Sequence, residues 1–404
     1  MQQHESINVQ WIEDEKFNDT LINLRLAIPM KEKDRTMVNL LSKMMGDRLE
    51  NTKTKEAMTR RLDYLYGFKV RSSTYVLGKY LILDLQGYGI SQQFVDEPLL
   101  EKQIKMLVDM LTQPLLTHEL LNEAKKKLII QHQRLKENHA RQAVQNALAH
   151  AGKGQVFSLS SMGDLSDLDS IDLEEIKEFH QTMLKNHAKV LTIVGNVEPF
   201  DLSDLLAGLG TSSLVPSYQP TKIEPLKIEE THSGSQTELI LLYEVDIIPN
   251  SKESVAMMLY TSQLGQLPTS LLFQELREKH SLCYSIYANR YVFDGVLMIH
   301  TGIDQKNIDQ ALTLIDVQIE TMKNGIENLE GLKQTIITQL NGNTEELQSQ
   351  SVREFTGLLK NEDQSIDELI TIIESIENDD IIAVANKINN PFIYIYKGGH
   401  DEEN

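Results

Sequence analysis

The two halves of the chain repeat one order of secondary structure. An apolar strand ending in glycine, GKYLILDLQG at residues 78–87, returns as FDGVLMIHTG at residues 293–302. Aligning the final glycines gives an offset of 302 − 87 = 215, and this offset also places the helix around Asn39 against the helix around Ser254. No shorter unit repeats, which excludes a solenoid. We interpret the pattern as an α+β fold made of two tandem homologous domains, each an antiparallel-rich sheet packed with helices.

Hydrophobic periodicity predicts the elements of each copy. The linker between the copies is predicted at residues 210–224, which are rich in Ser, Thr and Pro, so the domains should span 1–209 and 225–404. The first copy is predicted to hold strands at 20–28, 68–75, 79–86 and 189–194, and helices at 35–48, 55–66, 96–110, 117–151, 172–184 and 203–209. The second is predicted to hold strands at 237–245, 283–288, 296–300 and 391–397, and helices at 253–264, 267–279, 307–323, 328–360 and 366–388, the last with a break near Asn378.

Charge and composition exclude several classes of protein. The formal net charge of −20 argues against nucleic-acid partners, because phosphates would be repelled. The single cysteine, Cys283, excludes an intramolecular disulfide and indicates a reducing compartment. The first eleven residues lack the basic and apolar regions of a signal peptide, and no run approaches the roughly 18 apolar residues of a membrane span. The sequence therefore predicts a cytoplasmic protein with no membrane span.

The stretch 270–302 carries the strongest candidate site. Its first part is predicted as a helix that positions Arg277, and the next strand positions Tyr284, at a spacing of 284 − 277 = 7 residues. Strict alternation would place Tyr284 on one face with Ile286 and Ala288. A guanidinium is a rigid donor to carbonyl oxygens, and a phenol donates to a developing oxyanion. The alternative is a surface ion pair for Arg277 and a half-buried strand aromatic for Tyr284.

These residues, LRE followed by L-x-Y, resemble the C-terminal half of insulinase-like, pitrilysin-type (M16) zinc peptidases. The strand KVLTIVGNV at residues 189–197 and the tandem α+β domains are similar to the half-size, two-domain members of that family. The resemblance implies that Arg277 and Tyr284 hold the substrate backbone and polarise the scissile carbonyl.

The catalytic motif of that family is missing here. Its active members carry H-x-x-E-H on the first long helix, where two histidines bind zinc and the glutamate is the general base. The apolar frame of the helix at 35–48 places Asn39 and Lys43 at the histidine positions and Ser42 at the base position. The third ligand position falls at Ile130 or Gln131. The resemblance therefore implies that this chain binds no metal and holds no zinc itself.

Other chemistry has little support in the sequence. His132 and His139 lie seven residues apart in a polar stretch, which is typical of a solvated helix face. Cys283 is interpreted as a small strand residue, with a nucleophilic role as the alternative. No glycine-rich phosphate loop or Gly-x-Ser-x-Gly motif occurs, so nucleotide binding and serine hydrolysis are not indicated.

In the M16 family, half-size proteins often work as pairs in which one subunit lacks the zinc motif but keeps the Arg and Tyr. The resemblance thus implies a noncatalytic subunit, inactive alone, that forms a heterodimer with a zinc-bearing homologue of similar length. Four domains would then enclose a chamber in which a peptide or small protein is hydrolysed. Two alternatives remain: a peptide- or protein-binding structural homodimer without proteolytic activity, and an active metallopeptidase with relocated ligands.

Overall fold

The computed structural model describes residues 7–210 and 213–399, which form two compact units. Unit 1 combines the chain up to residue 132 with residues 160–216 and 342–359. Unit 2 combines residues 133–159 and 217–341 with the chain from residue 360. Each unit therefore includes a segment that lies, in sequence, within the opposite half of the chain.

The helices and strands follow in chain order. Within the described residues the strands are β1 (Asn8–Glu13), β2 (Asp19–Pro29), β3 (Lys69–Leu77), β4 (Tyr80–Ile90), β5 (Ala188–Gly195), β6 (Lys227–His232), β7 (Thr237–Glu244), β8 (Cys283–Tyr291), β9 (Val296–Ile303) and β10 (Phe392–Gly398). The α-helices there are α1 (Glu32–Met45), α2 (Lys55–Asp63), α3 (Leu99–Thr112), α4 (His118–Glu137), α5 (His139–Ala151), α6 (Leu173–Asn186), α7 (Ser203–Leu206), α8 (Lys252–Thr261), α9 (Ile308–Met322), α10 (Leu329–Asn343), α11 (Leu347–Lys360), α12 (Ile366–Glu374) and α13 (Asn378–Ala385).

The two units contain sheets of the same topology. The described strands of unit 1 form a sheet of order β1-β5-β2-β4-β3, and those of unit 2 a sheet of order β6-β10-β7-β9-β8. In each sheet the first pair is parallel and the remaining pairs are antiparallel. The α+β class and the antiparallel-rich sheets predicted from the repeat are confirmed.

Several elements differ from the predictions. The single helix predicted at 117–151 is wrong: it breaks at Asn138, whose side-chain oxygen accepts from the N–H of Arg141 at 3.0 Å and so starts a new helix, α5. The helix predicted at 328–360 is likewise two helices, α10 and α11. Strands β1 and β6 were not predicted, because both are short edge strands with polar residues. The described part of the predicted linker contains no helix or strand.

The sheet of unit 1 buries a charged cluster under α11. Arg25 is fully buried, and its Nε lies 3.4 Å from Asp84 Oδ2. Its two terminal nitrogens donate to the hydroxyl and the carbonyl oxygen of Ser351, at 3.0 and 3.2 Å. Asn23 donates to Asp84 at 2.9 Å and accepts from the Ser351 hydroxyl at 2.8 Å, while the Phe355 ring lies 4.9 Å from the guanidinium. We call these five residues the arginine cluster.

The sheet of unit 2 packs on both faces. One face, with α8, α9, α10 and α13, forms a large apolar core. The other face carries a smaller core in which Ala143 and Ala147 of α5 contact β-sheet residues. Ala143 and Ala147 are four residues apart and therefore lie on one face of α5. Their small side chains let the helix lie close to the sheet.

Candidate functional site

Arg277 lies at the C-terminal end of a helix whose last turns are wound as a π-helix, Phe273–Lys279. The sequence predicted an α-helix here, and periodicity alone does not distinguish the two. The helix ends at Lys279, and at Ser281 φ is +50° and the N–H donates to the carbonyl oxygen of Arg277 at 3.1 Å. This turn carries the chain directly into β8. Because π-helical turns are rare and concentrate at functional sites, the local geometry is itself a signal.

The guanidinium of Arg277 is held by aromatic rings. Its Cζ lies 4.5 Å from the centroid of the Phe273 ring and 5.6 Å from the centroid of the Tyr284 ring. Such contacts fix the direction of the guanidinium while leaving its N–H donors available. Its Nε lies 3.5 Å from Glu278, at the long end of ion-pair contacts. The structure therefore brings Arg277 and Tyr284 together, as the sequence predicted.

Tyr284 is 86% exposed, whereas Ile286 on the same strand is 4% exposed. The prediction that these two residues share a face is wrong. The pairing of β8 with β9 shifts register between Cys283 and Ile286, which marks a β-bulge that turns Tyr284 outward. Bulges change the direction of side chains in this way and are frequent beside functional sites.

Close to this site, the carboxylate of Glu275 is hydrogen-bonded and the thiol of Cys283 is neutral. Glu275 accepts from Lys279 and lies within hydrogen-bonding distance of His280, at 3.0 and 3.1 Å. The bond from Lys279 is the main cause that keeps the pKa of Glu275 below its usual value. Burial raises the pKa of the Cys283 thiol, so it stays protonated near neutral pH. A nucleophilic role for Cys283 gains no support.

The residues at the positions of the missing zinc motif lie on α1, and their side chains form hydrogen bonds within the protein. Asn39 is buried and donates to the carbonyl oxygens of Arg35 and Ser161, while its own oxygen accepts from Thr74 at 2.8 Å. The Ser42 hydroxyl lies 2.8 Å from that of Ser72. These bonds use the polar atoms of both side chains.

The second histidine position of the motif is occupied by a cation, the side chain of Lys43. Lys43 donates to Gln131 at 2.8 Å, so the structure joins the second histidine position to the predicted third-ligand position. Burial, followed by the neighbouring Lys127, lowers the pKa of Lys43. An ammonium that donates to an amide does not fit Zn²⁺, which needs several lone-pair donors. Among the described residues, no three His, Cys, Asp or Glu side chains are placed to hold a metal ion.

His139 does not lie on a solvated helix face, and that prediction is wrong. Its ring lies 4.2 Å from that of His232 on β6 and 6.5 Å from that of Tyr396 on β10. The sequence held no signal for this contact, because β6 itself was not predicted.

Within the described residues, no helix is long and apolar enough to cross a membrane.

Known proteins match the chain along most of its length. A family model described as "Peptidase M16 inactive domain" matches residues 170–335. A protein of Bacillus subtilis called a probable inactive metalloprotease, YmfF, is 22% identical, and the match covers 98% of this chain and 96% of that protein. An uncharacterized zinc protease of Streptomyces coelicolor is also 22% identical, over 70% of this chain and 66% of its own length.

Solved structures share the fold. A conserved protein of Enterococcus faecalis superposes with a TM-score of 0.88 at 20% identity, over 98% of this chain and 97% of the other. A peptidase M16 inactive domain of Pseudomonas fluorescens superposes with a TM-score of 0.82 at 18% identity, over 99% and 98%. These findings support an M16-like, noncatalytic family for the chain, and the residues at positions 39, 42 and 43 depart from the HxxEH zinc motif.

Proposed function

We propose that this chain is the noncatalytic subunit of a heteromeric M16-like peptidase, paired with a zinc-bearing homologue of similar length. It contributes Arg277 and Tyr284 to substrate binding and transition-state contacts at the partner's zinc site. The observation that carries the proposal is the contrast between two sites. The Arg277 and Tyr284 side chains are aligned and accessible, while Lys43 and Gln131 bond to each other where zinc ligands would lie.

The substrate class follows from the same geometry. Strand β8 is an edge strand of its sheet within the described residues, and an extended peptide can pair with such an edge. Arg277 offers N–H donors to the carbonyl oxygens of a bound peptide, and Tyr284 offers a hydroxyl. A peptide or small protein is therefore the proposed substrate. The single cysteine supports a reducing, cytoplasmic setting.

The first experiment is affinity purification of the tagged chain from its native cells, followed by an assay for chelator-sensitive peptide cleavage. We expect a companion of similar length that carries H-x-x-E-H, with no activity from this chain alone. Recovery of this chain without a companion, and without cleavage, would instead favour the binding homodimer. Stoichiometric zinc in the chain purified alone would favour relocated ligands.

The second experiment tests Tyr284 itself. Tyr284→Phe keeps the ring beside Arg277 but removes the hydroxyl, so the assembled pair should lose about a hundredfold in kcat. The matched control is Tyr64→Phe, because Tyr64 is 82% exposed but lies on unit 1. Equal turnover for wild type and Tyr284→Phe would refute the role of this hydroxyl.

A further inference from the structure

A chain of three polar side chains crosses the sheet of unit 2. The Tyr287 hydroxyl on β8 lies 2.7 Å from His300 Nδ1 on β9, and His300 Nε2 lies 2.8 Å from Glu238 Oε2 on β7. His300 and Glu238 are each 5% exposed, whereas Tyr287 is 40% exposed. We call these three residues the tyrosine relay. It begins in the interior of the sheet and ends at an accessible side chain on the edge strand.

The relay determines which way the Tyr287 hydroxyl points. An ionised carboxylate only accepts hydrogen bonds, so Glu238 requires the His300 proton on Nε2. A neutral imidazole with Nε2 protonated has a lone pair on Nδ1 and can only accept there. With His300 in this neutral form, the hydroxyl of Tyr287 donates its proton to Nδ1. The phenol oxygen is left with lone pairs and no proton for another partner.

Two further contacts keep this arrangement in place. The Tyr287 and His300 rings meet edge to face, with centroids 5.2 Å apart and an interplanar angle of 77°, which restricts rotation of the phenol. Burial, and then the charge of Glu238, raises the pKa of Tyr287, so the phenol remains neutral. Tyr287 consequently presents a neutral hydrogen-bond acceptor in a fixed orientation.

We propose that Tyr287 is a specificity-determining residue that accepts a hydrogen bond from one backbone N–H of a bound peptide. This inference rests on the proposed function, since it assumes that peptide binds along β8. Tyr287 then accepts a hydrogen bond from the peptide, whereas the guanidinium of Arg277 only donates. A peptide backbone supplies alternating N–H and C=O groups, so an acceptor and a donor at one edge together fix its direction and register.

The first measurement needs no peptide. The protonated nitrogen of His300 is identified by nitrogen and carbon chemical shifts in the full chain labelled at histidine, with His300→Gln to assign the signal. We expect the proton on Nε2 at neutral pH. A proton on Nδ1, in the other neutral form or in the imidazolium, would overturn the inference, because Nδ1 would then donate to Tyr287 and free its hydroxyl proton.

The second measurement locates the accepted N–H. A fluorescein-labelled decapeptide is selected from a random-sequence library on the wild-type chain, and each amide is replaced in turn by an ester, which removes one N–H. One ester should weaken binding to wild type by about threefold to tenfold, the value of one neutral hydrogen bond. The same ester should have no effect on Tyr287→Phe, because the acceptor is gone.

The matched control is Tyr291→Phe on the same strand, whose hydroxyl lies 3.8 Å from the Met298 sulfur and outside the relay. It should keep the ester penalty of wild type. An identical pattern of penalties in wild type and Tyr287→Phe would overturn the inference and leave peptide binding intact. Failure of any library peptide to bind wild type would instead contradict peptide binding along β8, and the role of Tyr287 with it.

Discussion

The arginine cluster of unit 1 and the tyrosine relay of unit 2 occupy matching places in two sheets of the same topology. Each contains a diagonal pair on the central antiparallel strands. Asn23 on β2 lies opposite Gln86 on β4, and its side chain bonds Asp84, two residues away from Gln86. Glu238 on β7 lies opposite Gly302 on β9, and its side chain bonds His300, two residues away from Gly302. The duplicated fold therefore places polar side chains at one location twice, with different chemistry in each copy.

The difference lies in how each cluster ends. In unit 1, α11 covers the cluster with Ser351 and Phe355, and Arg25 is fully buried. In unit 2 the relay ends at Tyr287, which is partly accessible. A closed cluster contributes to stability and specificity of packing, whereas an open one presents an oriented atom to a ligand. The comparison predicts that variants of the two clusters have separable effects.

The largest expected effect is loss of the Arg25 counter-ion. Asp84→Ala leaves a buried guanidinium without its carboxylate and should destabilise unit 1 by about 3–5 kcal/mol. Urea unfolding followed by tryptophan fluorescence measures this, since the chain's one tryptophan, Trp11, lies on β1 in unit 1. The double variant Arg25→Met with Asp84→Leu should recover most of the loss. A loss below about 1 kcal/mol for Asp84→Ala would mean that water reaches Arg25.

Removal of His300 tests the other cluster. His300→Ala leaves the Glu238 carboxylate buried without its partner, at a cost of about 1–3 kcal/mol in the stability of unit 2. Hydrogen exchange of the β9 amides measures the effect, while the Trp11 transition of unit 1 should not move. Replacing both His300 and Glu238 by leucine should be less costly than His300→Ala. A cost equal to or above that of Asp84→Ala would contradict the distinction between open and closed clusters.

Alkaline pH offers a third test. Burial is the main cause that raises the pKa of Tyr75, on β3 of unit 1, to about 12. A raised tyrosine pKa favours the neutral form in the folded state, so its stabilisation is full below about pH 10, the unfolded value, and is lost as the pH rises through about 12. Tyr75→Phe should reduce the fall in unit 1 stability between about pH 9 and pH 11 by roughly 1 kcal/mol.

The control for this alkaline test is Tyr287→Phe, which should leave the Trp11 transition unchanged at both pH values, because Tyr287 belongs to unit 2. If Tyr75→Phe loses stability with pH as steeply as wild type, ionisation of Tyr75 is not the cause of the alkaline loss.

The smallest effect concerns the residue that closes the arginine cluster. Ser351→Ala removes a hydroxyl that bonds Asn23 and Arg25, but keeps the backbone carbonyl that accepts from Arg25. We expect a loss of about 1 kcal/mol in unit 1. Ser349→Ala on the same helix is the control, since Ser349 bonds the neighbouring Glu346 instead. Equal values for the two serines would show that α11 packs by its apolar residues alone.

Strong periodicity predicted most of the fold. The ends of strands β2, β4, β5 and β7 lie within four residues of their predicted positions, because buried strands carry long apolar runs. The frame of α1 predicted Asn39, Ser42 and Lys43 at the zinc-motif positions, and in the structure Lys43 donates to Gln131. Periodicity did not predict the local geometry: the break at Asn138 depends on its capping side chain, and the bulge before Ile286 depends on the pairing of β8 with β9.

The tyrosine relay had no sequence signal. Glu238 and His300 are 62 residues apart, and each lies in a strand whose other residues are mostly apolar. A buried glutamate opposite a buried histidine becomes visible only once strand register is known. The proximity of Arg277 and Tyr284 was predictable because seven residues of helix end and strand leave little freedom, but the role of Phe273 beside them was not.

The exchange of segments between the units has a consequence for synthesis on the ribosome. Chains emerge and begin to fold from the N-terminus at about 5–20 residues per second. Arg25 is made early, yet its partner Ser351 follows 326 residues later. The arginine of the first sheet therefore stays uncovered until most of unit 2 has been translated. A fragment that ends at the linker should accordingly make the first sheet without the helix that covers Arg25.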